Sequence, residues 1–172
     1  MLQLKNIGIL STYNSKTDTF DYLKNCNIDI ENGIIIGLGE SKHNGDQVID
    51  CNHKLVTPGF VDAHTHPVFV NGREKEFIER ISGKSYQEIS NNGGGINSSI
   101  IGVREIDEID LLDLVIKRMD DFINMGTTTI EAKTGYGLDT GSELKSLRVL
   151  ENAHNKHKID IFPTFLGAHS IP

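Results

Sequence analysis

Along the first part of the chain, hydrophobic and polar positions alternate with a period of two; later they recur with a helical period. In CNIDIENGIIIGLGE, residues 26–40, Ile28 and Ile30 alternate with polar neighbours, Asn32-Gly33 interrupts, and Ile34, Ile36 and Leu38 resume the apolar run. An Asn-Gly pair between such runs is a strong hairpin signal, because both central residues of the favoured two-residue turn need positive φ. VIDCNHKLVTPG, residues 48–59, reads as one more short strand leading out. Residues 1–56 are therefore expected to form a small β unit.

From Phe60 onward, apolar β runs alternate with stretches of helical period, the pattern of parallel βα repeats in an α/β fold. The clearest helix is DEIDLLDLVIKRMDDFINMG, residues 107–126. Its Leu112, Val115, Ile116, Met119, Phe122 and Ile123 share one face, and Gly126 stands where it should stop. TTTIEA, residues 127–132, is β-branched and reads as a buried strand. The loop KTGYGLDTG, residues 133–141, then leads to a second helix through Leu144, Leu147 and Leu150, and IDIFPTFLGAH, residues 159–169, is the next strand. Ser85 and Glu88 have the spacing of a capping box, so a weaker βα unit is expected between Phe60 and Ile101. Strands are predicted near residues 60–66, 96–101, 127–132 and 159–166, with a domain boundary between residues 56 and 57.

Composition narrows the classes of function. With 172 residues, 37% hydrophobic and 24% charged, the chain is suited to one globular domain or part of a larger one. A formal net charge of -7 with no dense Lys/Arg run argues against nucleic acid or an anionic membrane as partner. No apolar stretch approaches the ~18 residues of a spanning helix, and the first residues lack the pattern of a signal peptide, so a cytoplasmic protein is expected. Cys26 and Cys51, the only cysteines, have no metal or redox spacing and are expected to be reduced structural thiols.

The chemistry is concentrated in PGFVDAHTHPVF, residues 58–69, where two histidines stand one residue apart after an apolar run. Residues two apart on a strand share a face, so His64 and His66 are expected to aim at one point if the strand persists that far. Zinc and ferrous iron both accept imidazole, and a catalytic site would need further ligands and an open position. An H-x-H pair alone is equally consistent with a structural or surface role. Asp62, two residues before His64, either orients an imidazole or caps a bend.

TPGFVDAHTH, residues 57–66, resembles the first barrel strand of the amidohydrolase superfamily. Three blocks, residues 62–96, 130–150 (IEAKTGYGLDTGSELKSLRVL) and 164–172 (TFLGAHSIP), are similar to the imidazolonepropionase family within it. The resemblance implies a metal-dependent hydrolase: the first half of a (β/α)8 barrel over residues 57–172 as four βα units, preceded at 1–56 by part of a small β-sandwich. It implies that His64 and His66 bind one divalent metal, zinc or iron, and that Arg73, Tyr136 and His169 line the pocket of a small anionic substrate. His169 is also the implied catalytic group, polarising the substrate or moving a proton. It stands roughly where binuclear members of the superfamily carry a carboxylated lysine, so one metal is expected, and Lys133 is expected at the surface or behind the ligands.

The implied reaction is hydrolysis of the cyclic amide of 4-imidazolone-5-propanoate to N-formimidoyl-L-glutamate, a step of histidine degradation. A barrel of this kind typically needs about 250 residues, so the chain reads as the N-terminal part of a longer enzyme, inactive alone. The other metal ligands would lie beyond Pro172, and the complete enzyme is either monomeric or homo-oligomeric. Alternatives are another amidohydrolase, either a deaminase or a different cyclic-amide hydrolase, or a non-catalytic half-barrel remnant.

Overall fold

The computed structural model describes residues 1–40 and 45–171, with Ser90 described in its backbone only. The chain divides into two compact units, residues 1–58 and 59–172.

The first unit is a mixed five-stranded sheet. Two long strands, β1 (Leu2–Asn14) and β2 (Thr19–Glu31), pair antiparallel and continue to β3 (Ile34–Gly39). The β2–β3 turn is the Asn-Gly hairpin expected from the sequence: Asn32 and Gly33 have φ of 50° and 78°, and Glu31 pairs with Ile34 across it. On the other side, β1 pairs parallel with β4 (Gln47–Asp50) and β5 (Leu55–Val56). The single strand expected over 48–59 is thus broken in two. Asn52 and His53 both take positive φ, and the Asn52 N–H is held by Asp50 Oδ1 at 2.8 Å, which turns the chain between the halves. Ile7, Leu10, Cys26 and Ile28 form the buried cluster of this unit, and both cysteines are free thiols. The described residues of this unit make one sheet, with Ile34, Ile35, Ile36, Val48, Ile49 and Leu55 exposed.

The second unit carries a parallel sheet of β6 (Phe60–Thr65), β7 (Thr127–Lys133) and β8 (Asp160–Thr164), in that order. Between β6 and β7 run four helices: α1 (Glu74–Ile81), α2 (Tyr86–Asn91), α3 (Ile96–Glu105) and α4 (Glu108–Asn124). Helix α5 (Thr140–Lys156) joins β7 to β8. The strand expected near 96–101 is therefore α3, and the unit has three described strands where four were expected. In INSSIIGVRE the buried residues are Ser99, Ile100 and Val103, a helical spacing that outweighs the β-branched content.

Local signals set the helix ends. Ser85 and Glu88 form the reciprocal capping box of α2: Glu88 Oε2 accepts from the Ser85 N–H at 2.8 Å, and Ser85 Oγ accepts from the Glu88 N–H at 3.2 Å. Asp107 caps α4 through the Ile109 N–H at 2.8 Å, and Gly126, with φ of 89°, ends its last turn. Helix α4 buries Leu111, Leu112, Val115 and Met119 against Ile130 and Ala132 of β7, Ile161 of β8, and Val149, Leu150 and Ala153 of α5. The phase expected for α5 is off, since Leu144 is 47% exposed and the buried stripe is Ser142, Glu143, Ser146, Val149, Leu150 and Ala153. Of its polar members, Ser142 and Glu143 bond to the loop before the helix, described next, whereas Ser146 Oγ donates within the helix to the Ser142 carbonyl at 2.9 Å.

Candidate functional site

The site is built at the C-terminal ends of β6, β7 and β8, where parallel α/β sheets place their chemistry. Strand β6 ends at Thr65, so His64 is its penultimate residue and His66 lies just past it. The two rings still converge, with centroids 5.5 Å apart and planes at 62°. The simple two-residue alternation is interrupted by a register shift between Asp62 and Thr65 against β7. Asp62 takes the bend-capping role, its Oδ1 accepting from the His64 N–H at 3.1 Å. Thr65 Oγ donates to the Glu131 carbonyl at 2.7 Å and ties this strand end to β7.

His66 is the centre of an aromatic cluster. His169 stacks on it with centroids 4.7 Å apart and planes at 14°, and Tyr136 lies 5.2 Å from it. Tyr136 and His169 are themselves 5.4 Å apart. Burial, and then the neighbouring imidazoles of His169 and His64, push the His66 pKa below its ordinary value, with a Thr134 backbone contact opposing them. The shift favours the neutral ring, the form in which imidazole binds a metal. Its Nδ1 is buried and has no hydrogen-bond partner among the described residues.

A cavity of about 230 Å³ opens beside this cluster, lined by His66, Tyr136, Arg73, Asn71, Glu74 and Ser99 among others. Arg73 stands at the N-terminal cap of α1, where its Nε donates to Glu76 Oε2 at 3.0 Å. Glu76 Oε1 in turn accepts from the Gly95 N–H at 2.7 Å, so the arginine is anchored to the turn that starts α3. The structure thus gathers His66, Arg73 and Tyr136 around one space. His169 is behind His66, outside the cavity lining, and not at a strand end as expected: β8 stops at Thr164, and a turn in which Leu166 O accepts from the His169 N–H at 3.1 Å brings the ring back.

Three residues that hold this arrangement were not singled out in the sequence. Arg118 of α4 donates through Nη1 to the Pro67 carbonyl at 2.9 Å and lies 3.5 Å over the Phe69 ring, fixing the segment that follows His66. Glu131 pairs with Lys133 and accepts from Thr164 Oγ1 at 2.7 Å; Lys133, its main partner, and Thr164 hold its carboxyl below the usual range. Lys133 is accordingly a partner of this carboxylate. Glu143 of α5 is 2% exposed and accepts from the Gly135, Gly137 and Leu138 N–H groups at 3.0, 2.7 and 2.9 Å. An acid in the first turn after a glycine-rich loop was the available signal for Glu143; nothing local marked Arg118, one of several charges on α4.

His64 and His66 suit a shared divalent ion by donor type, convergence and the unsatisfied Nδ1. Among the described residues, no group of three or more His, Cys, Asp and Glu side chains is placed to hold a metal, so the pair is a partial donor set. No helix among the described residues is long and apolar enough to cross a membrane.

No family profile matches the chain. It is 41% identical over 172 residues to an imidazolonepropionase of Clostridium tetani, a match covering 96% of this chain and 41% of that protein. The imidazolonepropionase of Christiangramia forsetii is 38% identical over 176 residues, covering 100% and 43% respectively. That of Syntrophobacter fumaroxidans is 50% identical over 127 residues, covering 74% and 30%. The chain spans about two-fifths of the length of the first two of these curated relatives. Among solved structures, a triazine hydrolase from Arthrobacter aurescens superposes with a TM-score of 0.61 at 12% identity, covering 95% of this chain and 35% of that one. An atrazine chlorohydrolase of the same species, complexed with zinc, gives 0.58 at 12% identity over 96% and 35%. Guanine deaminase of E. coli gives 0.54 at 18% identity over 94% and 36%. Such likeness at low identity shows a shared mixed α/β fold.

Proposed function

We propose that this chain, a sequence relative of imidazolonepropionases with the fold of amidohydrolase-type enzymes, supplies the metal-binding and substrate-binding part of an enzyme that opens the cyclic amide of 4-imidazolone-5-propanoate. The observation that carries this reading is the cavity of about 230 Å³ in which His66, Arg73 and Tyr136 meet, with His169 stacked behind His66. In this reading residues 57–172 are the first part of a (β/α)8 barrel and residues 1–56 part of a small β-sandwich. The exposed apolar residues of the first sheet, Ile34, Ile36 and Val48 among them, support a covering layer there. The remaining strands and metal ligands belong to polypeptide outside these residues.

His64 and His66 would hold one divalent ion, zinc or iron. Such an ion, when bound, lowers the pKa of water and stabilises developing negative charge. The protein's own residues do the rest. Arg73, with Nε engaged by Glu76, presents the remaining guanidinium N–H groups to the substrate propanoate, a match of planar fork to carboxylate. Tyr136 closes over the ring. Attack of water on the ring carbonyl breaks the C–N bond and gives N-formimidoyl-L-glutamate, with the departing nitrogen taking a proton. His169 is suited to carry that proton: a carbonyl oxygen only accepts, so its Nδ1, 3.0 Å from Gly135 O, is the donor there, and Nε2 is left as the free base. A small-molecule enzyme of this kind is assigned to the cytoplasm, as monomer or homo-oligomer.

The test uses the completed enzyme. Arg73→Ala is expected to raise KM about tenfold or more, the weight of a lost charge-assisted pair, and His64→Ala or His66→Ala to remove bound metal together with kcat. Unchanged kinetics in the Arg73 variant would remove the carboxylate contact. The isolated 172-residue chain is expected to show no turnover with zinc or iron added. A substrate panel that includes purine bases separates this reaction from deamination, the activity named for one structural neighbour.

A further inference from the structure

We infer that Glu143 is the positioning residue for His169: by bracketing the Gly135 carbonyl from both sides, its buried carboxylate sets the imidazole tautomer. The inference rests on the proposed role of His169, but its geometry stands independently. Glu143 Oε2 accepts from the Gly135 N–H at 3.0 Å, and Oε1 accepts from the Gly137 and Leu138 N–H groups at 2.7 and 2.9 Å. The carbonyl between those anchor points, Gly135 O, lies 3.0 Å from His169 Nδ1. One carboxylate therefore locks the backbone on either side of a contact, His169 Nδ1 to Gly135 O, that favours the proton on Nδ1. Tyr136, whose ring sits 5.4 Å from His169, is clamped by the same bonds.

The loop is shaped for this relay. Gly135 has φ of 114°, and a Cβ there would come within 2.7 Å of His169 Cβ and 2.9 Å of its Nδ1, so the backbone approaches the imidazole as only glycine allows. From the outer side, Arg104 Nε donates to the Gly137 carbonyl at 2.8 Å and pairs with Asp139 Oδ2 at 3.0 Å. The carboxylate is 2% exposed, so water does not replace its contacts. It meets three donors and offers only acceptor positions, a match that an amide cannot make, because its NH2 would face an N–H.

The test is 15N NMR of the 15N-histidine-labelled 172-residue chain in mildly alkaline buffer, where imidazoles are neutral, with His169→Gln to assign the signals. In the wild-type chain His169 is expected as the Nδ1–H tautomer. In Glu143→Gln the ratio of Nδ1–H to Nε2–H is expected to fall by about 2- to 10-fold, the weight of one net hydrogen bond. Ser146→Ala, which removes an equally buried hydroxyl from the same helix without touching the loop, is expected to leave the ratio unchanged. Glu143→Asp keeps the charge but shortens the reach, and serves if the glutamine variant does not fold; it is expected to shift the ratio in the same direction. A wild-type His169 in the Nε2–H form, or a ratio unmoved in the folded Glu143 variant, overturns the inference. Both readouts need neither metal nor substrate. An unmoved ratio in the folded Glu143 variant leaves the proposed reaction standing, a wild-type Nε2–H form also removes the proton-carrying role given to His169, and failure of the reaction leaves the tautomer result standing.

Discussion

Gly137 and Gly141 lie in the same loop-and-helix segment, yet a methyl group meets opposite surroundings at the two positions. At Gly137 a Cβ would lie 2.7 Å from Ser142 Cβ and 2.8 Å from the Glu143 backbone nitrogen, whereas at Gly141 the nearest atom is Asp139 Oδ1 at 3.4 Å. Gly137→Ala is expected to lower stability by about 1–3 kcal/mol through overpacking. Gly141→Ala, in the first turn of α5, is expected to raise it by about 0.4–1 kcal/mol by restricting the unfolded chain. Urea denaturation of the two variants checks both signs. At this scale much of the candidate site was legible: the H-x-H spacing drew attention to His64 and His66, and family resemblance singled out Arg73, Tyr136 and His169. Glu143, Glu131 and Arg118 were not, because a carboxylate or guanidinium on a helix or strand looks the same in sequence whether it faces water or a loop's backbone.

Helices and strands followed their local chemistry wherever the signal was self-contained. The Asn32-Gly33 hairpin, the Ser85/Glu88 box and the apolar stripe of α4 each depend on residues close in sequence, and each formed. Asp139 caps α5 in the same way: its Oδ1 accepts from the Ser142 N–H at 2.9 Å and its Oδ2 from Ser142 Oγ at 2.8 Å. Those contacts, led by the Ser142 N–H, hold its carboxyl below the ordinary range, with Arg104 adding to the effect. A depressed carboxyl contributes stability that is present above its unfolded value, near about 3.9, and is lost as pH falls through the folded value. Asp139→Ala is therefore expected to cost about 1 kcal/mol near neutral pH, with the gap to wild type closing below about pH 4. Thermal melts across that range read the effect; a gap that widened in acid would exclude the cap as its source. Where elements departed from expectation, the deciding contacts were distant. Residues 96–105 became a helix because Ile100 and Val103 are buried on one face, and the phase of α5 was set by Glu143 and Ser146 turning inward.

At the scale of the molecule, each unit has its own buried cluster, one around Ile7 and Ile28, the other around Leu111, Met119 and Ile130. The second unit leaves apolar residues of its sheet in water: Phe60 is 57%, Val61 70% and Phe162 62% exposed. Apolar surface of this kind beside open strand edges favours association. The 172-residue chain is expected to sediment with a mass that rises with concentration, and Val61→Lys combined with Phe162→Lys is expected to suppress the rise. A concentration-independent monomer in the unsubstituted chain would show that this surface is not sticky.

The sequence by itself determined the period of most elements, though not of residues 96–105, several of the turns and caps that bound them, the change from β unit to βα repeats near Phe60, and a likeness specific enough to direct attention to five site residues. Those features depend on neighbours a few positions away, or on motifs read whole. Only the tertiary structure decided that β6 stops before His66, that a turn after β8 returns His169 onto the His66 ring, and that Glu143 faces the loop carrying Tyr136. Each of those outcomes is settled by groups brought together from separate strands and helices, through burial and backbone hydrogen bonds that no local pattern encodes.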